Sequence, residues 1–129
     1  MPLLSRWALR AGLLWFALAL AAGVALAWPG VPAPAYPTYL HLLTVGWLTN
    51  LITGVAHWMF PRASAERPRG TTGVGWAGLA LLNAGLVARG VGESVPVDGR
   101  AAWLAVAAAL QLAGGWCWVA HLWPRIKGR

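Results

Sequence analysis

Apolar residues run along this chain in four long stretches, each ended by proline, glycine or charge. The first extends from about Trp7 to Ala27, the second from about Thr38 to Phe60, the third from about Thr71 to Ala88 and the fourth from about Ala101 to Trp123. A helix needs about 20 mostly apolar residues to cross the hydrocarbon core of a bilayer. Each stretch reaches or approaches that length, the third being short and rich in glycine. Between the first two, Gly30, Pro32, Pro34 and Pro37 make an uncharged linker. Pro61 stops the second stretch before a charged loop, Arg62 to Arg69. A loop carrying Glu93, Pro96 and Asp98 follows the third, and Pro124 stops the fourth. The pattern predicts an all-α membrane protein, with residues 1–129 forming a single four-helix transmembrane bundle.

Composition supports a lipid environment. Hydrophobic residues make up 59% of the chain and charged residues only 10%, where a soluble domain carries about a quarter charged residues. Ten tryptophans in 129 residues point to a membrane–water boundary, where indole rings accumulate. The net charge of +7 would suit nucleic acid, but no stretch outside the apolar runs interleaves basic and aromatic residues, so no nucleic-acid partner is expected. The single cysteine, Cys117, excludes an internal disulfide and any multi-cysteine metal site within one chain.

Charge then changes the picture by orienting the spans. Arg6 and Arg10 flank the first, Arg62, Arg67 and Arg69 separate the second and third, and Arg125, Lys127 and Arg129 follow the fourth. The last loop balances Arg89 and Arg100 against Glu93 and Asp98. Basic residues near span ends stay cytoplasmic, so both termini are expected on the cytoplasmic side of the cell's inner membrane (N-in, C-in). A rival reading takes the first stretch and Ala25-Leu26-Ala27 as a secretory signal with its cleavage site, although the apolar run exceeds the usual length of a signal.

The endings of spans two and four echo one another: Val55-Ala56-His57-Trp58-Met59-Phe60-Pro61-Arg62 and Val119-Ala120-His121-Leu122-Trp123-Pro124-Arg125. Duplication of a helix pair would produce this. So would the general fitness of Trp, Pro and Arg for ending a span.

The three carboxylates, Glu66, Glu93 and Asp98, all fall in expected loops, which disfavours a small proton-coupled transporter, since such proteins need an intramembrane acid. The ionisable groups within the spans are then histidines: His41 near the outer end of span two, His57 near its inner end and His121 near the inner end of span four. His41 and His57 stand sixteen residues apart, about 24 Å along a helix axis, too far to share a metal in one protomer. His57 and His121 share a depth and can meet if spans two and four pack together. At 100° per residue Gly46, Asn50, Thr53 and His57 form one polar stripe, suited to helix contact. His41 faces the other way, above Val45, Leu48, Ile52 and Val55. An imidazole over an apolar wall suits a heme with the imidazole as axial ligand, and four-helix bundles commonly hold such cofactors. The plainer alternative is that each histidine bonds interfacial water or a backbone carbonyl. Cys117 and His121, at i and i+4, share a helical face that permits metal binding, or Cys117 is a small buried hydrophobe. Asn83 and Gln111 fall mid-span as interhelical hydrogen-bonding groups. Gly73, Gly75, Gly78 and Gly85 suit close helix approach.

The stretch from Tyr39 to Arg62, YLHLLTVGWLTNLITGVAHWMFPR, resembles the second helix of subunit I in the heme–copper oxidase superfamily, nearest to the C-type cytochrome oxidases and nitric oxide reductases. The ending GGWCWVAHLWPRIKGR is similar to the C-termini of small four-helix proteins related to that superfamily. The resemblance implies that His41 is an axial ligand of a low-spin heme b and that the chain is equivalent to one four-helix arc of subunit I. The helices that would bring a second heme ligand and copper ligands are missing, so no copper site and no oxygen or nitric oxide reduction is carried over. A homo-oligomer would supply the second ligand from His41 of a neighbouring protomer, with His57 and His121 as a further metal or heme site. The expected role is one-electron transfer with a quinol or cytochrome partner, or gas binding if one position stays open. The alternative is a cofactor-free accessory or assembly subunit of a larger membrane complex.

Overall fold

The computed structural model describes residues 1–94 and 98–126. Pro96, Lys127 and Arg129, which the topological reading used, lie outside them. Among the described residues all regular structure is helical. Four helices form: α1 (Leu3–Ala27), α2 (Tyr36–Met59), α3 (Thr72–Ser94) and α4 (Arg100–Leu122), the last continued by a 3₁₀ turn over Trp123–Arg125. All four are long and apolar enough to cross a membrane, and the chain is built as a multi-pass membrane protein.

Local chemistry sets the boundaries. α1 starts after Pro2 and stops at Trp28, before Pro29 and Gly30, the glycine adopting φ +80°. α2 has Pro37 in its first turn, where the missing N–H is an orphan in any case, and it stops at Phe60 before Pro61. α4 begins after Gly99 in the left-handed region at φ +81°.

Two features depart from the hydrophobic pattern. First, α3 runs on from Ala88 to Ser94, so Glu93, expected in a loop, sits in the last turn of a helix. Its carboxylate pairs with Arg89 one turn earlier at 2.8 Å and accepts the hydroxyl of Thr38 at 2.5 Å. Neutralising the acid internally lets the helix continue beyond its apolar run. Second, α2 is not uniformly α-helical: Leu42–Thr49 forms a π-helix. Hydroxyl and amide donors bond the carbonyls along it: Thr44 to Leu40 at 2.8 Å, Thr49 to Thr44 at 2.9 Å and Asn50 to Gly46 at 2.7 Å. Side chains bonding into the backbone ladder are a recognised cause of helix irregularity. Stacking of Phe16 on Trp47, centroids 4.2 Å apart, holds the wide turn against α1.

The helices pair as two hairpins, α1 with α2 and α3 with α4. The α3–α4 contact is close because glycine lines it. A Cβ added at Gly114 would lie 2.6 Å from the backbone nitrogen of Leu82, and one at Gly85 would lie 2.8 Å from the carbonyl oxygen of Ala107. Of the span-three glycines singled out from the sequence, Gly75, Gly78 and Gly85 face neighbours, whereas Gly73 meets open space. The hairpins join through a small core of Leu4, Ala8, Leu79 and Trp118. The outward faces carry exposed Leu13, Leu14, Ile52, Met59 and Leu112, as expected of surfaces that meet lipid rather than water.

Candidate functional site

The polar stripe foreseen on α2 is the inner face of that helix: Gly46, Asn50, Thr53 and His57 are all buried. Near mid-span the stripe meets α3 and α1. Asn50 and Asn83 exchange amide hydrogen bonds, Nδ2 to Oδ1 at 3.2 Å and 3.0 Å. The indole of Trp15 donates to the same Asn83 oxygen at 2.6 Å. A reciprocal amide pair satisfies both groups where water is excluded and ties the two hairpins together. Gln111, expected in the same role, does not join it, and its Nε2 is buried with no hydrogen-bond partner among the described residues.

His57 and His121 do meet, with His57 Nδ1 2.8 Å from His121 Nε2 and ring centroids 4.9 Å apart. The two come from matching places in the echoed endings of α2 and α4. At that separation the nitrogens share a proton. Nitrogens held on one ion at about 2.0–2.1 Å each in tetrahedral geometry stand farther apart. The third member is Arg125, only 2% exposed. Its guanidinium donates to the carbonyls of His57 at 2.9 Å, Phe60 at 2.7 Å and Pro61 at 3.0 Å, and approaches His57 Nδ1 at 3.3 Å. The permanently charged arginine can only donate, so Nδ1 of His57 acts as the acceptor and His121 donates from Nε2. Arg125 thereby caps the C-terminal end of α2, supplying donors to orphan carbonyls and a positive charge to the negative end of the helix dipole. The sequence reading counted Arg125 only as a topological charge; its place four residues after His121 in an ending that mirrors α2 was the available signal.

His41 stands apart from this network. It lies in the second turn of α2, half-buried, just before the π-helical stretch. Its Nδ1 is 2.8 Å from the carbonyl oxygen of Pro37. A carbonyl only accepts, so Nδ1 carries the proton and the neutral ring keeps its lone pair on Nε2. Metal-ligating histidines are usually prepared in this way, the second nitrogen donating to a carbonyl that fixes tautomer and ring orientation. Below it, Val45 is half-buried, and Leu48 and Ile52 are exposed at 42% and 64%. Ile52 also lines two apolar grooves of about 400 and 660 Å³ that flank the lower half of α2. Cys117 is half-buried and packs beside Gly78. Among the described residues no group of three or more His, Cys, Asp or Glu side chains converges as a metal site.

No family model matches this chain, and neither the curated proteins nor the solved structures contain a match to it.

Proposed function

We propose that this protein binds a b-type heme through Nε2 of His41 and serves as a one-electron carrier within a homo-oligomer. The observation that carries the reading is the hydrogen bond between His41 Nδ1 and Pro37 O, which in the neutral ring leaves the lone pair on Nε2, on a helix that also carries the apolar Val45, Leu48 and Ile52. These residues fit the group: an imidazole of defined tautomer for the iron and aliphatic side chains for the ring. When bound, a heme supplies reversible one-electron chemistry. The chain's own part is to hold the imidazole, to exclude water with the aliphatic strip, and to anchor α2 through the buried stripe on its other side.

The half-exposed position of His41 on a single protomer favours an arrangement in which a second copy brings its own His41 to the opposite face of the ring. Small chains commonly complete such sites by symmetric assembly. The distribution of arginine favours both termini on the cytoplasmic side of the inner membrane, which places His41 toward the outer side, within reach of a quinol or a cytochrome partner. The sequence resemblance of 39–62 to the second helix of heme–copper oxidase subunit I supports the same ligand. No observation favours a complete oxidase or reductase.

The test is an absorption spectrum of the detergent-purified protein, oxidised and then dithionite-reduced, with a pyridine hemochrome assay for stoichiometry. The reading expects a sharp Soret band with b-type reduced bands, and loss of heme in His41→Ala with helicity retained. Full heme retention in that variant, or a featureless spectrum after addition of hemin, overturns it. A featureless spectrum would favour the accessory-subunit role.

A further inference from the structure

The loop between α2 and α3 is folded back on itself. The backbone N–H of Ala63 bonds the carbonyl of Pro68 at 2.9 Å, that of Arg67 bonds the hydroxyl of Ser64 at 3.0 Å, and that of Gly70 bonds the carbonyl of Arg67 at 3.0 Å. Closing the loop brings its two flanks, Arg62 and Arg69, to one cavity. Both line a cavity of about 470 Å³ whose third cation is Arg125, and whose remaining wall includes Trp58, Phe60 and Pro61. No carboxylate of the described residues lines it. The ion pair found among the described residues, Arg89 with Glu93, belongs to the other end of the bundle.

Three arginines lining one cavity gather like charge there, which an anion between them would offset. Arg125 is held there by the carbonyls of α2, which occupy most but not all of its five N–H donors. Arg62 and Arg69 are exposed. The planar fork of arginine matches the oxygens of a phosphate group. Trp58, 54% exposed beside the cavity, is the residue type that sits at the level of lipid headgroups, and basic pockets between membrane helices are known headgroup sites.

We infer that the Arg62–Arg69–Arg125 cavity binds an anionic phosphate group. Two sources share that chemistry: the headgroup of an anionic phospholipid, and free phosphate. The site is at the opposite end of α2 from His41 and does not depend on the heme reading.

The experiment compares the full chain with its Arg62→Gln/Arg69→Gln variant, both substitutions lying on exposed side chains whose loss leaves the Arg125 cap in place. Native mass spectrometry and thermal unfolding are followed while phosphatidylglycerol, phosphatidylcholine or inorganic phosphate is added to the detergent-purified protein, with chloride matching the ionic strength. Each arginine near an anionic headgroup contributes roughly a factor of five in affinity, so the variant should bind phosphatidylglycerol on the order of 25-fold more weakly. Binding of phosphatidylglycerol but not phosphate, lost in the variant, identifies the lipid as the source. Protection by phosphate that competes with the lipid, also lost in the variant, identifies the free anion. Equal affinity of wild type and variant, or no preference for either anion over phosphatidylcholine and chloride, overturns the assignment.

Discussion

The closeness of α3 to α4 makes a sharp prediction about two adjacent glycines. At Gly114 an added methyl group would sit 2.6 Å from the nitrogen and 2.9 Å from the Cα of Leu82, and 3.1 Å from the carbonyl oxygen of Gly78. Ordinary contact begins at 3.4 Å, so the methyl is about 0.8 Å short of room, and what it meets is backbone, which cannot rotate aside. The helices must separate. A radial gap of about 0.5–1 Å forfeits a quarter to a half of each dispersion contact beside it, and inside a bilayer such packing is the main force that joins helices. Overpacking of this kind costs about 1–3 kcal/mol, and the backbone on the far side places Gly114→Ala near the upper end. At Gly115 an added methyl meets nothing within 4 Å. There Gly115→Ala should gain up to about 1 kcal/mol of helix propensity. The same substitution at neighbouring positions should therefore move stability in opposite directions. Reversible unfolding in mixed micelles of dodecylmaltoside with increasing SDS, followed by circular dichroism, measures both. Equal stability of the two variants, or a Gly114→Ala protein more stable than wild type, would refute the argument that these helices touch backbone to backbone.

The mid-span amide pair should behave as a coupled unit: Asn83→Leu strands the Asn50 oxygen and the Trp15 indole and should cost about 1–2 kcal/mol, while Asn50→Leu/Asn83→Leu should recover part of that loss, since neither amide of the pair is then left without its partner. Strict additivity of the two single changes in a double-mutant cycle would show that the pair is not coupled. Replacing Arg125 by Gln removes the charge and most of the cap on α2 and should cost about 3 kcal/mol in the same unfolding assay. Arg125→Lys should rescue little, because a single ammonium cannot reach three carbonyls at once; full rescue by lysine would mean that charge alone matters there.

How far the sequence carries can be followed residue by residue. The four helices were legible because apolar length and proline punctuation are local signals. The inner face of α2 was legible too, since Gly46, Asn50, Thr53 and His57 keep their separation from Leu48 and Ile52 despite the π-helical stretch between. The extension of α3 was not, because Arg89 and Glu93 read as loop charges until they are seen to neutralise one another and to reach Thr38, a residue 55 positions away in sequence. The π-helix escaped for a related reason: Thr44, Thr49 and Asn50 are ordinary polar residues on a helical wheel, and only their bonding to the backbone carbonyls marks the wider turn. The meeting of His57 with His121 followed from equal depth, but the part of Arg125 did not, because hydropathy assigns an arginine after a span to the water. His41 was singled out as a candidate by type and position, and the Pro37 carbonyl that its Nδ1 meets lies one turn back, a relation visible once α2 is known to start at Tyr36.

The cap that Arg125 places on α2 also bears on the order of events during synthesis. The carbonyls of His57, Phe60 and Pro61 are translated and inserted long before the side chain that satisfies them, 64 to 68 positions later. Until then the first hairpin waits in the membrane with the end of its second helix open to headgroups and water. The two hairpins are thus joined at that end only after α4 has crossed the bilayer, so the first hairpin stays receptive to other contacts for as long as the second is being made.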